Sequence, residues 1–237
     1  MKRLVTLAIA LSSVVAGSAQ ELWTSAYGEY AITKRLKAGV GIECRTSDGL
    51  SGVGRWSVGA ELDYKLCKYL KAEVAYRFIY DHSGDEYDDD EYIPSYWQPR
   101  QRVQVSLTGS YKVDRFTFSL REGYQYTYHR ERTTVPSYDA LNNEWTFDKV
   151  VNSKHKGYLR SRLEVEYNIR KSPFTPFVSC ELYNNVSGFA LAKSRYTVGT
   201  DYKINKRNAV QLFYRYVDKR SGADSNVIGV GYSYKFK

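Results

Sequence analysis

The stretch from Arg115 to Tyr128 reads RFTFSLREGYQYTY. Phe116, Phe118, Leu120, Tyr124, Tyr126 and Tyr128 share one parity, and Arg115, Thr117, Ser119, Arg121, Gly123, Gln125 and Thr127 share the other. Successive side chains of a β-strand point to opposite faces, so this segment is a strand with one apolar wall and one polar wall. Glu122 is the single charge on the apolar wall.

The same two-residue period recurs on both sides of this stretch. Upstream, Trp56, Val58, Ala60, Leu62 and Tyr64 alternate with Arg55, Ser57, Glu61 and Asp63. Leu70 to Tyr80 alternates with Lys71, Glu73 and Arg77, and Val103 to Tyr111 with Arg102, Gln104 and Ser106. Downstream, Leu159, Leu163, Val165 and Tyr167 alternate with Arg160, Arg162, Glu164 and Glu166, and Tyr196 to Tyr202 with Arg195, Thr197 and Asp201. Ile228 to Phe236 repeats the pattern at the end of the chain. Short connections near residues 33–35, 66–67, 113–114, 170–173 and 204–207 alternate with long ones near 47–53, 82–99, 129–157, 184–193 and 219–225. Short turns at one end and long loops at the other describe an up-and-down meander.

Two architectures oppose a polar and an apolar face. A soluble lipocalin-like barrel turns its apolar face inward, and a transmembrane barrel turns it outward. Full charges in mid-strand on nearly every polar face, with Tyr and Trp tipping the apolar one, favour the transmembrane form. The fold class expected is all-β, an antiparallel up-and-down transmembrane β-barrel. The segments number about eleven, whereas a closed antiparallel bacterial barrel takes an even number. Ten to twelve strands are therefore expected, with twelve favoured. Tyr27, Tyr64, Tyr80, Tyr111, Tyr128, Tyr158 and Tyr202 fall near strand ends, where an interfacial aromatic girdle sits.

The rest of the chain agrees with export. Lys2 and Arg3 precede an apolar run from Leu4 to Val15, and Gly17-Ser18-Ala19 offers a cleavage site. Residues 1–19 are read as a signal peptide and 20–237 as an outer-membrane barrel. With 23 Tyr, 9 Phe and 4 Trp the chain is too aromatic for disorder, and a mean hydropathy of −0.53 rules out a helical membrane protein. The net charge of +9, or +7 without Lys2 and Arg3, points to anionic lipid or solute; the targeting argues against nucleic acid. Three cysteines, Cys44, Cys67 and Cys180, form neither a disulfide framework nor a zinc motif.

Several short motifs follow one another along the chain: Glu21-Leu22-Trp23, Glu43-Cys44-Arg45, Tyr76-Arg77, Arg100-Gln101-Arg102, Leu159-Arg160-Ser161-Arg162-Leu163, Glu181-Leu182-Tyr183, Arg195-Tyr196-Thr197-Val198-Gly199 and Ile228-Gly229-Val230-Gly231-Tyr232. Their order resembles a Bacteroidetes outer-membrane β-barrel family known as domain of unknown function 2490. The resemblance spans nearly all of the expected mature chain and implies a barrel in the outer membrane. It implies no activity and assigns no functional residue.

The inward face carries the candidate function. A solute path is expected along Arg45, Arg55, Arg77, Arg102, Arg121, Arg160, Arg162, Arg195 and Arg215, with Arg115 and Lys37 also facing inward. Guanidinium forks stay charged and pair bidentately with carboxylates, which suits a narrow porin-like channel for small anionic solutes. The alternative is a plugged structural or interaction barrel in which these bases close onto Glu43, Glu61, Glu73, Glu164, Glu166 and Glu181, because charges out of water need partners. Asp85, Asp88, Asp89, Asp90 and Glu91 crowd one loop and are a candidate divalent-cation site, or a bridge to lipopolysaccharide phosphates. The basic short turns, among them Lys34, Arg35, Lys206 and Arg207, suit anionic headgroups. No cofactor or catalytic residue is assigned. His82 beside Ser83, and His155 two residues after Ser153, leave a rim-sited hydrolase or acyltransferase as the minor alternative.

Overall fold

The computed structural model describes residues 21–47, 52–88 and 91–236, so the expected signal peptide lies outside the described residues. Every regular element among them is a strand: β1 (Glu21–Ala31), β2 (Leu36–Thr46), β3 (Val53–Lys65), β4 (Leu70–Ser83), β5 (Glu86–Asp88), β6 (Glu91–Ile93), β7 (Tyr96–Val113), β8 (Phe116–His129), β9 (Arg132–Asp139), β10 (Glu144–Val151), β11 (Lys154–Tyr167), β12 (Phe174–Asn185), β13 (Leu191–Lys203), β14 (Asn208–Lys219) and β15 (Ser225–Lys235).

Eleven of these strands close into a barrel in the order β1-β2-β3-β4-β7-β8-β11-β12-β13-β14-β15. The even count favoured from sequence is corrected here. Neighbours pair antiparallel throughout, but an odd meander brings its first and last strands back in the same direction. β1 and β15 therefore close the barrel as a parallel pair, from Glu21 opposite Val227 to Glu29 opposite Lys235. A second consequence is that Glu21 lies at the long-loop end and Lys235 at the short-turn end.

The short turns are set by local side-chain chemistry. The Thr33 hydroxyl accepts the Arg35 and Leu36 amides, and the Asn205 carboxamide accepts those of Arg207 and Asn208. These are the hydroxyl- and amide-capped turns that such residues favour. Asp114, between β7 and β8, takes a left-handed φ of 51°, which Asp tolerates better than most residues. Arg115, expected in the lumen, belongs to this turn, where it donates to the Tyr167 hydroxyl.

Two long connections are not bare loops. β5 and β6, inserted between β4 and β7, join β9 and β10, inserted between β8 and β11, in a four-stranded sheet ordered β10-β9-β6-β5. Ile93, Tyr96 and Val135 form its small core, with Val151 against it. Alternation in these segments is too short, and too interrupted by charge, to register as strands in the sequence.

The barrel wall has the expected polarity. Val40 is 61 % exposed, Leu163 52 % and Val198 53 %, all on the outer face beside Tyr76, Phe118 and Leu212. A continuous apolar exterior of this kind suits lipid and not water, and the charged face lies inside, which sets aside the lipocalin-like alternative. Glu122, the charge on the outer wall, accepts a hydrogen bond from the Ser161 hydroxyl of β11 directly opposite it.

Some aromatic side chains point inward, and glycine makes room for them. The Tyr27 ring lies over Gly39, where a Cβ would come within 2.0 Å of its hydroxyl. Phe213 lies over Gly229, where a Cβ would come within 1.9 Å of the ring. Tyr27 and Tyr158 are thus corrected from girdle to lumen: Tyr27 donates to Glu61 at 2.5 Å, and Tyr158 lines internal cavities.

Candidate functional site

The lumenal charges separate along the barrel axis. Toward the long-loop end, the inner face carries Arg45 and Glu43 on β2, Arg55 on β3, and Arg77 and Asp81 on β4. It continues with Arg100 and Arg102 on β7, His129 on β8, Arg160 on β11, Glu181 and Tyr183 on β12, Lys193 and Arg195 on β13, and Arg215 on β14. Glu43 pairs with Arg45 at 2.7 Å and Arg77 at 3.7 Å. Asp81 pairs with Arg55 and Arg100, each at 2.5 Å. Glu181 pairs with Arg160 at 2.5 Å and Arg195 at 3.6 Å. Each acid is shared by two bases, so cations remain in excess.

Aromatic rings hold much of that excess. Trp23 carries Arg45 at 3.5 Å, Arg215 at 5.1 Å and Arg195 at 5.5 Å from its ring centroids, and its indole donates to Glu21. Tyr183, 2 % exposed, carries Lys193 at 4.4 Å, Arg195 at 4.7 Å and Arg160 at 4.8 Å. A ring face attracts a cation electrostatically and places no carboxylate beside it. Register shifts in the pairings of β2 with β3 and of β12 with β13 follow Arg45 and Tyr183, where an irregularity re-aims side chains. Trp23 and Tyr183 were not singled out as site residues from sequence. Their signal was available in parity: Tyr183 lies two residues from Glu181, and Trp23 has the parity of Glu21 and Glu29.

Three internal cavities follow. An open vestibule of about 850 Å³ at the long-loop end is lined in part by Glu21, Trp23, Arg45, Arg55, Asp81, Lys156, Lys193 and Arg195. A waist of about 230 Å³ takes lining residues from every barrel strand except β15, which puts it on the axis. Its lining includes eight arginines, Arg45, Arg77, Arg102, Arg121, Arg160, Arg162, Arg195 and Arg215, against four glutamates, Glu43, Glu61, Glu73 and Glu181. A side cavity of about 150 Å³ is lined by Arg55, Arg100, Arg102, Gln125, Thr127, His129, Lys156, Tyr158, Tyr183, Lys193 and Arg195, with no carboxylate among them.

The short-turn half is different. Glu29, Glu61, Asp63, Glu73, Glu164, Glu166 and Asp201 occupy its inner face. Glu73 pairs with Arg121 at 3.4 Å and Lys71 at 3.8 Å, Asp63 with Lys71 at 2.9 Å, and Glu29 with Lys37 at 2.8 Å. Glu164 pairs with Arg162. Glu61 and Glu166, expected as ion-pair acids, have no ion pair within the described residues. Glu61 is held by the Tyr27 hydroxyl instead, while Glu166 shares the inner face with two further acids, Glu164 and Asp201.

The other candidates do not gather. Asp85 accepts the Ser95 amide; Asp89 and Asp90 lie outside the described residues, and no group of His, Cys, Asp and Glu among the described residues is placed to hold a metal ion. His155 faces outward and bonds the Tyr126 hydroxyl, while His82 rests against Trp97 and His129 is buried at the mouth of the lumen. The three histidines therefore occupy separate environments. At the start of β7, Trp97 stacks on Tyr80 of the neighbouring strand, and Tyr96 is buried in the small core with Ile93 and Val135.

A closed barrel with an apolar exterior, charged lumen and loops lengthened at one end is the outer-membrane β-barrel fold. The chain belongs to the family described as Protein of unknown function (DUF2490), which matches residues 20–228. The fold recurs in solved structures of low identity. The β domain of the Bordetella autotransporter Brka matches with TM-score 0.56 at 14 % identity, over 84 % of this chain and 82 % of that one. The translocator domain of autotransporter NalP from Neisseria meningitidis matches with TM-score 0.57 at 12 % identity, over 88 % and 77 %. LpxR from Salmonella typhimurium matches with TM-score 0.50 at 9 % identity, over 89 % and 87 %. Comparison with curated proteins finds no match.

Proposed function

We propose that this chain is exported through a cleaved signal peptide to the bacterial outer membrane, where it forms a narrow channel for small anionic solutes. The observation that carries this reading is the axial waist, with eight arginines against four glutamates in its lining. Rings of cationic side chains at a constriction select anions. The vestibule above it, lined by Arg45, Arg55, Lys156, Lys193 and Arg195, concentrates anions at the mouth. The basic short turns then face anionic headgroups, and the long-loop end faces lipopolysaccharide.

A second reading is favoured by one feature. The Arg160 guanidinium on β11 bonds Gln104 on β7, Gln125 on β8 and Glu181 on β12, bracing four consecutive strands from the lumenal side. A barrel braced in this way is closed and acts through its long-loop end.

Planar-bilayer conductance of the refolded full chain, under salt gradients, decides between them. The channel reading expects discrete steps with a reversal potential on the anion side, moved toward the cation side by Arg102→Glu and Arg215→Glu. A silent bilayer from a barrel whose heat-modifiable gel mobility shows it folded overturns the channel reading and supports the braced one.

A further inference from the structure

The side cavity shares Arg102, Tyr183 and Arg195 with the waist but, unlike it, has no acid in its lining. We propose that it is a binding site for a phosphate group, free or as a phosphate ester. The inference deepens the anion-channel reading and rests on it for the route by which a ligand arrives.

The argument starts from uncompensated charge. Arg55, Arg100, Arg102, Lys193 and Arg195 line the cavity, and no carboxylate does. The acids that serve these bases line neighbouring spaces: Asp81 the vestibule, Glu181 the waist. Arg102 has no ion pair among the described residues and bonds only the Thr127 hydroxyl, at 3.2 Å. Lys193 has none either, its ammonium resting on the Tyr183 and Tyr158 rings. The Nε atoms of Arg100 and Arg195 are buried donors without a hydrogen-bond acceptor. Buried charges and donors left in this state are costly, and an anion that accepts from several at once removes the cost.

The chemistry of the donors narrows the ligand. Guanidinium forks and an ammonium converging from β7 and β13 match a tetrahedral oxyanion carrying more than one charge. A single carboxylate offers two oxygens and one charge, too few for this set. A cavity of about 150 Å³ admits a phosphate group and excludes an oligosaccharide. A phosphate ester places its phosphate here and its remaining part in the vestibule, which Arg55, Lys156, Tyr158, Lys193 and Arg195 also line.

The test is isothermal titration calorimetry of the refolded full chain in detergent, with inorganic phosphate, glucose 6-phosphate and acetate as probes. Saturable 1:1 binding of phosphate is expected, with acetate weaker by about tenfold or more, the effect of losing one charge-assisted contact. Tighter binding of glucose 6-phosphate than of phosphate assigns the site to esters, and the reverse assigns it to the free ion. Lys193→Met and Arg102→Met are each expected to weaken phosphate by about tenfold or more, while Arg35→Met, in the β1–β2 turn, leaves it unchanged. Arg102→Lys keeps the charge and is expected to recover part of the loss, which separates recognition from misfolding. Absence of saturable phosphate binding, or undiminished binding by the folded Lys193→Met variant, overturns the proposal. Conductance on the same preparation keeps the two readings apart. Anion-selective steps without saturable phosphate binding leave the channel and remove the site; saturable binding in a silent barrel does the opposite.

Discussion

The two halves of the lumen solve one problem in opposite ways. Each must hold charged side chains inside a wall whose exterior is apolar. The short-turn half is rich in acids and uses lysine–carboxylate pairs, such as Lys71 with Asp63 and Lys37 with Glu29, together with the Tyr27 hydroxyl on Glu61. The long-loop half is rich in arginine, shares Glu43, Asp81 and Glu181 each between two bases, and rests the surplus on Trp23 and Tyr183. The difference teaches where an anion can act. A lysine closed onto a carboxylate is neutral to a passing solute, whereas an arginine held on an aromatic face keeps its charge available.

The sharpest way to break this comparison is at Glu181, the acid that ties the long-loop half together. It pairs with Arg160 and Arg195 and accepts the Tyr183 hydroxyl. The Glu181 and Arg160 side chains are only 9 % and 15 % exposed, so solvent screens the pair little. Removing one member of a buried pair leaves the other charge uncompensated and costs about 3–5 kcal/mol. Glu181→Ala is expected to lower barrel stability by about that much in urea unfolding of the refolded protein, and to make any surviving channel more anion-selective. An unfolding midpoint equal to that of the parent would mean that the aromatic seats alone hold the arginines.

A smaller effect is expected in the other half. Tyr27→Phe keeps the ring over Gly39 and removes the hydroxyl that donates to Glu61 at 2.5 Å. A buried acceptor losing its donor costs about 1–3 kcal/mol, and the half-buried position puts the expectation near 1 kcal/mol. The same unfolding measurement checks it. A loss as large as that of Glu181→Ala would show that the acid-rich half is no better compensated than the basic one.

Much of this was legible in alternation alone. The parity of Arg115 to Tyr128 assigned the walls, and Glu122, the misfit, is outside as parity required, bonded to Ser161. Eleven segments were countable, but the rule of even strands overrode the count. A parallel closure depends on where β1 and β15 meet in space, and no local pattern carries that. The inward charges were identified yet pooled into one lumen. Their axial sorting follows from combining parity with strand direction, information already held in the alternation of short turns and long loops. Tyr27 and Tyr158 were misread because an aromatic near a strand end usually sits at an interface. Their parity with Glu29 and Arg160 pointed inward. The small sheet was hidden for different reasons: β5 and β6 are three residues each and have no period to read, their link to β9 joins two distant insertions, and the eight-residue β9 and β10 pair with a register shift after Thr146.

The smallest expected effect lies at the rim of the long-loop half, in the loop between β14 and β15. Asp224 accepts the Tyr216 hydroxyl at 2.6 Å and the Lys219 amide at 2.9 Å. The Tyr216 hydroxyl first, and the Lys219 amide after it, hold its carboxyl below the usual carboxylate range. A carboxyl depressed on folding lends stability that is fully present above its unfolded value, about 3.9, and lost as pH falls through the lower folded value. Exchange of the Lys219 amide is therefore expected to stay slow from neutral pH down to that range, relative to its intrinsic rate, and to lose protection below it. Asp224→Asn should abolish the pH step while leaving conductance unchanged, because Asp224 is exposed and, unlike Arg220 and Ser221 of the same loop, does not line the vestibule. A change in ion selectivity with this variant would place Asp224 itself on the solute path and extend the basic half of the lumen beyond the barrel wall.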